Sequence, residues 1–152
     1  MIEYIALTNF FSFKERTEFS LKATKEKPRG TFSGEDWWTK IDGIKLLKAA
    51  FLLGNNGSGK TNFLNGISVL NELVTVNRNS KLASRYRLPD VQFLLSEETK
   101  NSPSSIEVAF HTAGFRYTYF ISWTVDYIIE ERLLRREGKK KEKLIFIREF
   151  SK

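Results

Sequence analysis

The chain has 152 residues, enough for one domain with a buried core, and its 41% hydrophobic and 28% charged content is ordinary for a globular protein. The absence of cysteine and the single histidine exclude disulfides, thiolate metal sites and a credible zinc centre. A formal charge of +7 is compatible with an acidic partner, although surplus lysine by itself specifies none. Thirteen Phe, five Tyr and three Trp favour a strand-rich fold. The start, MIEYIALTNFFSF, carries Glu3 near its front and lacks the basic-then-apolar pattern of a signal peptide. No apolar run approaches the roughly 18 residues of a membrane helix, so the expected location is the cytoplasm, with no membrane partner.

In chain order, residues 2–7 read as a strand and 17–23 (TEFSLKA) as a second with alternating faces. Residues 24–43 are polar and rich in Gly and Lys, the pattern of a long loop. Residues 44–53 (IKLLKAAFLL) are mostly apolar, the mark of a strand buried on both faces. Beyond a Gly-rich turn, Phe63, Leu64, Ile67, Leu70 and Val74 recur at helical spacing, which predicts a helix from 60 to about 74. Residues 77–90 are irregular and basic. The period then becomes two: 105–111 and 115–123 flank a short turn ending at Gly114, and 127–134 and 143–149 continue a meander. The expected layout is a P-loop unit with its helix over 1–76, then a basic segment and antiparallel sheet over 77–152.

The Gly-rich turn carries the chemistry. Gly54-Asn55-Asn56-Gly57-Ser58-Gly59-Lys60-Thr61 fits G-x-x-x-x-G-K-[ST]. The glycines admit backbone angles closed to other residues and let N–H groups approach phosphate oxygens. The helix behind them points its positive end at the same anion. Lys60, the candidate catalytic residue, reaches the β and γ phosphates, and Thr61 offers its hydroxyl to Mg²⁺. Magnesium keeps most of its water, so one protein hydroxyl suffices at this point. The expected cofactors are therefore ATP and Mg²⁺.

The words around the loop, IALTNFFSF and then KLLKAAFLLGNNGSGKTNFLNGI, resemble the N-terminal lobe of ABC-type ATPases of the SMC, RecF and OLD kind, including AAA-labelled abortive-infection proteins. Asn56, Ser58 and Asn62 match the extended form of that loop. The stretch from VQFLL to EERLL resembles the sheet inserted in those proteins. The resemblance implies an α/β P-loop NTPase lobe with an attached antiparallel meander, incomplete by itself. It also implies that the N-terminal turn folds over the nucleotide, which makes Asn9 and Ser12 candidates for contacts near the base or phosphates. The alternative is a plain strand-end turn, with Phe10, Phe11 and Phe13 in the core. Implied partners are the remainder of the ATPase, with its signature and Walker B acids, and a second copy in the full-length protein.

Such an ATPase needs an apolar strand ending in Asp-Glu. In FISWTVDYIIEE, Asp126 follows a strand interrupted by Ser122 and Thr124, and Glu130 and Glu131 are followed by the pattern of an exposed hairpin. FSGED (32–36) mimics the signature but precedes the loop, whereas relatives carry it far after. His111 fails as a switch histidine for the same reason of chain order and reads as a strand residue. Trp37-Trp38 suits either a loop anchor or a stacking surface. RLLRREGKKKEK (132–143) holds seven basic and two acidic residues, the pattern of a solvated tip or of a nucleic-acid contact. The expected function is an ATP-binding lobe of an ATPase acting in DNA repair or anti-phage defence. The alternative is a module that holds nucleotide without turnover. A GTPase would need N-K-x-D and a kinase a lid and acceptor site, and neither is legible.

Overall fold

The computed structural model describes residues 1–25, 37–75 and 87–150. Two strands open the chain, β1 (Ile2–Thr8) and β2 (Thr17–Ser20), followed by a short pair, β3 (Trp38–Ile41) and β4 (Ile44–Leu47). Helix α1 (Lys60–Thr75) leads to a one-turn helix α2 (Glu97–Lys100). Four longer strands follow: β5 (Ser104–Thr112), β6 (Phe115–Trp123), β7 (Ile128–Arg136) and β8 (Lys143–Glu149). Six of the strands form one antiparallel sheet in the order β2-β1-β5-β6-β7-β8. Strands from both parts of the chain thus share a sheet, with β1 bonded to β5.

Two tight hairpins set registers. Ala113 and Gly114 (φ 48° and 79°) join β5 to β6, both in the positive-φ region that a two-residue type I′ turn demands. Asp42 and Gly43 (φ 50° and 84°) do the same for β3 and β4. This second hairpin corrects the expectation of a loop over 24–43: Asp-Gly lets WTKI fold back on IKLL. The remaining described part of that segment, residues 24 and 25, stays outside the strands, and FSGED lies outside the described residues.

The sheet's first face carries the apolar core. Ile5, Leu7, Ile106, Val108, Tyr119, Ile121 and Trp123 pack with Phe10, Leu88, Val91 and, from α1, Leu73. Gly66 sits where α1 crosses β1; a Cβ there would stand 2.9 Å from both Leu7 methyls. Only Gly66 and Leu73 of α1 are buried, while Leu64, Ile67 and Val74 stay exposed. Ahead of the loop the expected doubly buried strand is shorter than its sequence pattern. β4 ends at Leu47, and Phe51 and Leu53 are 86% and 90% exposed. Among the described residues no strand pairs with 48–53, and residues 48–52 border an open groove of about 590 Å³ with Phe19, Phe63, Leu64 and Ile67.

The second face is polar beneath the β3–β4 hairpin. A register shift between Ile2 and Tyr4 marks a bulge at Glu3. An unbroken strand would put Glu3 on the face of Ile5 and Leu7. The bulge instead turns it onto His111 and Arg116. Burial alone would raise the Glu3 pKa, but hydrogen bonds from Arg116, Lys22 and His111 outweigh it and hold the carboxyl at about 2. Nearby, burial and a hydrogen bond to Glu107 push the Tyr4 hydroxyl up to about 12.

Candidate nucleotide-binding site

The loop owes its shape to two glycines. Gly57 and Gly59 hold φ of 80° and 89°, which side chains strain to adopt. The space at Gly59 is equally restrictive, since a Cβ would lie 2.7 Å from Ser12 Oγ and 3.2 Å from the Phe13 ring. Helix α1 begins at once, with Phe63 N–H donating to Gly59 O at 2.9 Å. Residues 56–62 line a cavity of about 310 Å³ at the helix start. Its first-turn N–H groups have no partner one turn back, the arrangement that receives an anion.

Lys60 folds over this cradle. Its Nζ donates to Gly54 O and Asn55 O, both at 2.7 Å, and to Ser58 Oγ at 3.3 Å. All three acceptors are neutral, so charged phosphate oxygens would bond the ammonium more strongly. Thr61 stands beside it on the exposed rim of the same cavity. The sequence-predicted set 54–62 is thus contiguous around one cradle, with Gly54 and Asn55 tied to it through Lys60.

The N-terminal turn abuts the loop. Phe10 and Phe13 exchange backbone hydrogen bonds at 2.9 and 2.8 Å, leaving Phe11 and Ser12 at the tip. Phe11 has φ 46°, a costly conformation for a bulky side chain. Asn62 Nδ2 donates to Ser12 Oγ at 3.1 Å, joining turn to helix. Phe13, Phe19 and Phe63 form an aromatic run beneath, with Phe19 and Phe63 centroids 3.9 Å apart. Phe10 is fully buried, and Phe11 and Phe13 are half-buried against the core.

Asn9 has a different task from the one the resemblance implied. It is 3% exposed; its Nδ2 donates to Thr99 O and Ser102 O at 2.9 Å, and its Oδ1 accepts from Phe93 N–H at 2.9 Å. Its side chain is committed to clamping residues 91–93 and 99–102 onto the turn. That clamp also corrects the reading of VQFLL as sheet. Phe11 N–H bonds Val91 O at 2.6 Å, so this segment is a strap across the turn rather than a strand. The strap adds residues that sequence reasoning missed. Phe11, Ser12 and Asn62 with Gln92, Phe93, Leu94 and Leu95 line a shallow, largely apolar pocket of about 380 Å³ beside the cradle. Leu94 and Leu95 are exposed at 65% and 89%, and no local period in the sequence marks them.

The candidate acids lie elsewhere. Asp126 is exposed in the turn joining β6 and β7. Glu130 pairs with Arg132, and Glu131 accepts from Tyr119 Oη at 2.7 Å and pairs with Arg148. Among the described residues no three acidic or histidine side chains cluster to hold a metal, and magnesium at Thr61 requires no such cluster. His111 is indeed a strand residue, in β5. Trp38 stacks under Lys45 at 4.1 Å, and Trp37 is 47% exposed. The basic segment 132–143 forms the end of β7 and the exposed β7–β8 tip, where Lys140 pairs with Glu137 at 2.8 Å. Among the described residues no helix is long and apolar enough to cross a membrane.

A family model described as "AAA domain, putative AbiEii toxin, Type IV TA system" matches residues 49–152. That span holds the loop, α1 and β5–β8, and leaves the N-terminal turn outside. No curated protein matches the chain.

Proposed function

The chain belongs to the family of AAA domains described as putative AbiEii toxins of type IV TA systems, and from that premise we propose that it is the Mg-ATP-binding lobe of an ABC-type ATPase. The observation that carries the reading is the cradle itself: a positive-φ glycine loop, a helix start and Lys60 converging on one cavity. The amides of 56–62 would receive the phosphates, Lys60 would contact the β and γ groups, and the Thr61 hydroxyl would hold Mg²⁺. Held there, the ion would supply charge neutralisation for phosphoryl transfer. Asn62 and Ser12 mark where the nucleotide leaves the cradle. The apolar pocket of Phe11, Phe93, Leu94 and Leu95 seats the base.

Hydrolysis is proposed to require the remainder of the ATPase, which supplies the signature and the water-positioning acid. The open groove beside Phe51, Leu52 and Leu64 gives that remainder an apolar surface to cover. A role in repair or anti-phage defence, through a full-length homodimer, follows the family resemblance alone. The second reading, a module that binds without turnover at any stage, draws on the engaged state of Glu130 and Glu131.

Phosphoryl transfer depends on positioning and charge stabilisation, and a missing stabilising group costs about 10³–10⁵ in rate. Steady-state phosphate release by residues 1–152 is therefore expected near background even with Mg-ATP bound. Turnover near about 1 s⁻¹ that vanishes in Lys60→Ala would overturn the incomplete-lobe reading.

A further inference from the structure

Gln92 is 6% exposed, yet its side-chain amide makes no hydrogen bond among the described residues. A buried amide without partners is costly and asks for a reason. The backbone on both sides of it is anchored. Val91 O accepts from Phe11 N–H at 2.6 Å, and Phe93 N–H donates to Asn9 Oδ1 at 2.9 Å. Phe93 O in turn accepts from Thr99 Oγ1 at 2.6 Å. The unsatisfied amide is thus carried on a strap fixed at both of its neighbours, the support that a recognition group requires.

Gln92 lines the shallow pocket beside the cradle, together with two other polar residues, Ser12 and Asn62. Those two are bonded to each other, Asn62 Nδ2 to Ser12 Oγ at 3.1 Å, whereas the amide of Gln92 is uncommitted among the described residues. Asn62 also lines the cradle, so the pocket begins where the phosphate site ends. Apolar walls with one uncommitted amide suit a planar heterocycle. Its faces would meet Phe11, Phe93 and the two leucines, and its polar edge would meet the amide.

We infer that Gln92 is the specificity-determining residue of this pocket and that it selects adenine, an inference that rests on the nucleotide reading above. A carboxamide presents an acceptor and a donor side by side. Adenine offers the complement on one edge, an N6–H donor beside the N7 acceptor. Oε1 accepts from N6–H while Nε2–H donates to N7. Guanine shows two acceptors there, O6 and N7, so one of them would face Oε1 and a bond would be lost. The amide finds in adenine the partners it lacks in the free chain.

Calorimetric titration of the native chain and of Gln92→Leu with Mg-ATP, Mg-GTP and Mg-tripolyphosphate tests this. Leucine is close in size and removes only the unsatisfied amide. Tripolyphosphate engages the cradle alone, so its binding also reports that the variant is folded. The native chain should bind Mg-ATP at least about tenfold more tightly than Mg-GTP, the discrimination that a bidentate amide–adenine contact provides. In Gln92→Leu that ratio should fall toward one through weaker Mg-ATP binding, with the affinity for tripolyphosphate unchanged. Equal native affinities for Mg-ATP and Mg-GTP, or a ratio that Gln92→Leu leaves unaltered, would overturn the role of Gln92 while the cradle stands. Failure of all three probes to bind the native chain would overturn the cradle reading, and this inference with it.

Discussion

A carboxylate as deeply buried as that of Glu3 survives only while its cationic partners hold it ionised. Its pKa falls from 4.5 to about 2 in the folded chain. A depressed folded value means stabilisation that is fully present above the unfolded value and is lost as pH falls through the folded one. The difference amounts to roughly 3 kcal/mol. Denaturant unfolding of the native chain should therefore lose about that much between pH 4.5 and 2, and Glu3→Gln should be less stable at pH 7 yet flatter in this window. Gly59 poses a second test at this scale. Both loop glycines hold positive φ, but a Cβ at Gly57 meets nothing within 4 Å whereas one at Gly59 strikes Ser12 and Phe13. Backbone strain of about 1–3 kcal/mol is common to both sites, so Gly59→Ala should unfold at a lower temperature than Gly57→Ala. The glycines and Lys60 were legible in the sequence because one motif prescribes them. The task of Asn9 was not, since its partners lie about 90 residues away.

Among the elements, α1 and β1 meet at a contact that helix propensity argues against. Glycine inside a helix costs about 1 kcal/mol relative to alanine, so an exposed Gly66 would be improved by that change. Here the added methyl would press within 2.9 Å of both Leu7 methyls, and Leu7 has no exposed surface into which to move. Overpacking costs about 1–3 kcal/mol. Gly66→Ala is expected to lower stability in denaturant titrations, and Leu7→Val should reverse part of that loss in the double variant. Elements with strong local signals were read well from sequence. α1 and the strands β5–β8 follow apolar periodicity and a two-residue turn at Ala113-Gly114. β3 and its hairpin to β4 were missed because a polar, Gly- and Lys-rich surrounding masked the Asp42-Gly43 turn signal, whereas β4 was read as a strand but too long. The strap at 91–95 was missed because its backbone is bonded to Asn9 and Phe11, a tertiary arrangement with no local period.

At the scale of the molecule, the phosphate cradle, the N-terminal turn and the strap form a continuous surface, while the apolar groove ahead of the loop is left open. This asymmetry fits a lobe that grips nucleotide and relies on further structure to act on it. Of the apolar run 44–53, read as a strand buried on both faces, only 44–47 form a strand, and 48–53 lie outside the strands and largely exposed because a sequence pattern names no partner. The central claim is that the cradle binds Mg-ATP through Lys60, and calorimetric titration of Mg-ATP into the native chain and into Lys60→Ala tests it most directly. A charge-assisted hydrogen bond is worth roughly 1.5–3 kcal/mol, so the substitution should weaken binding about ten- to a hundredfold. Equal affinities for the two proteins, or no binding heat in either, would contradict the account.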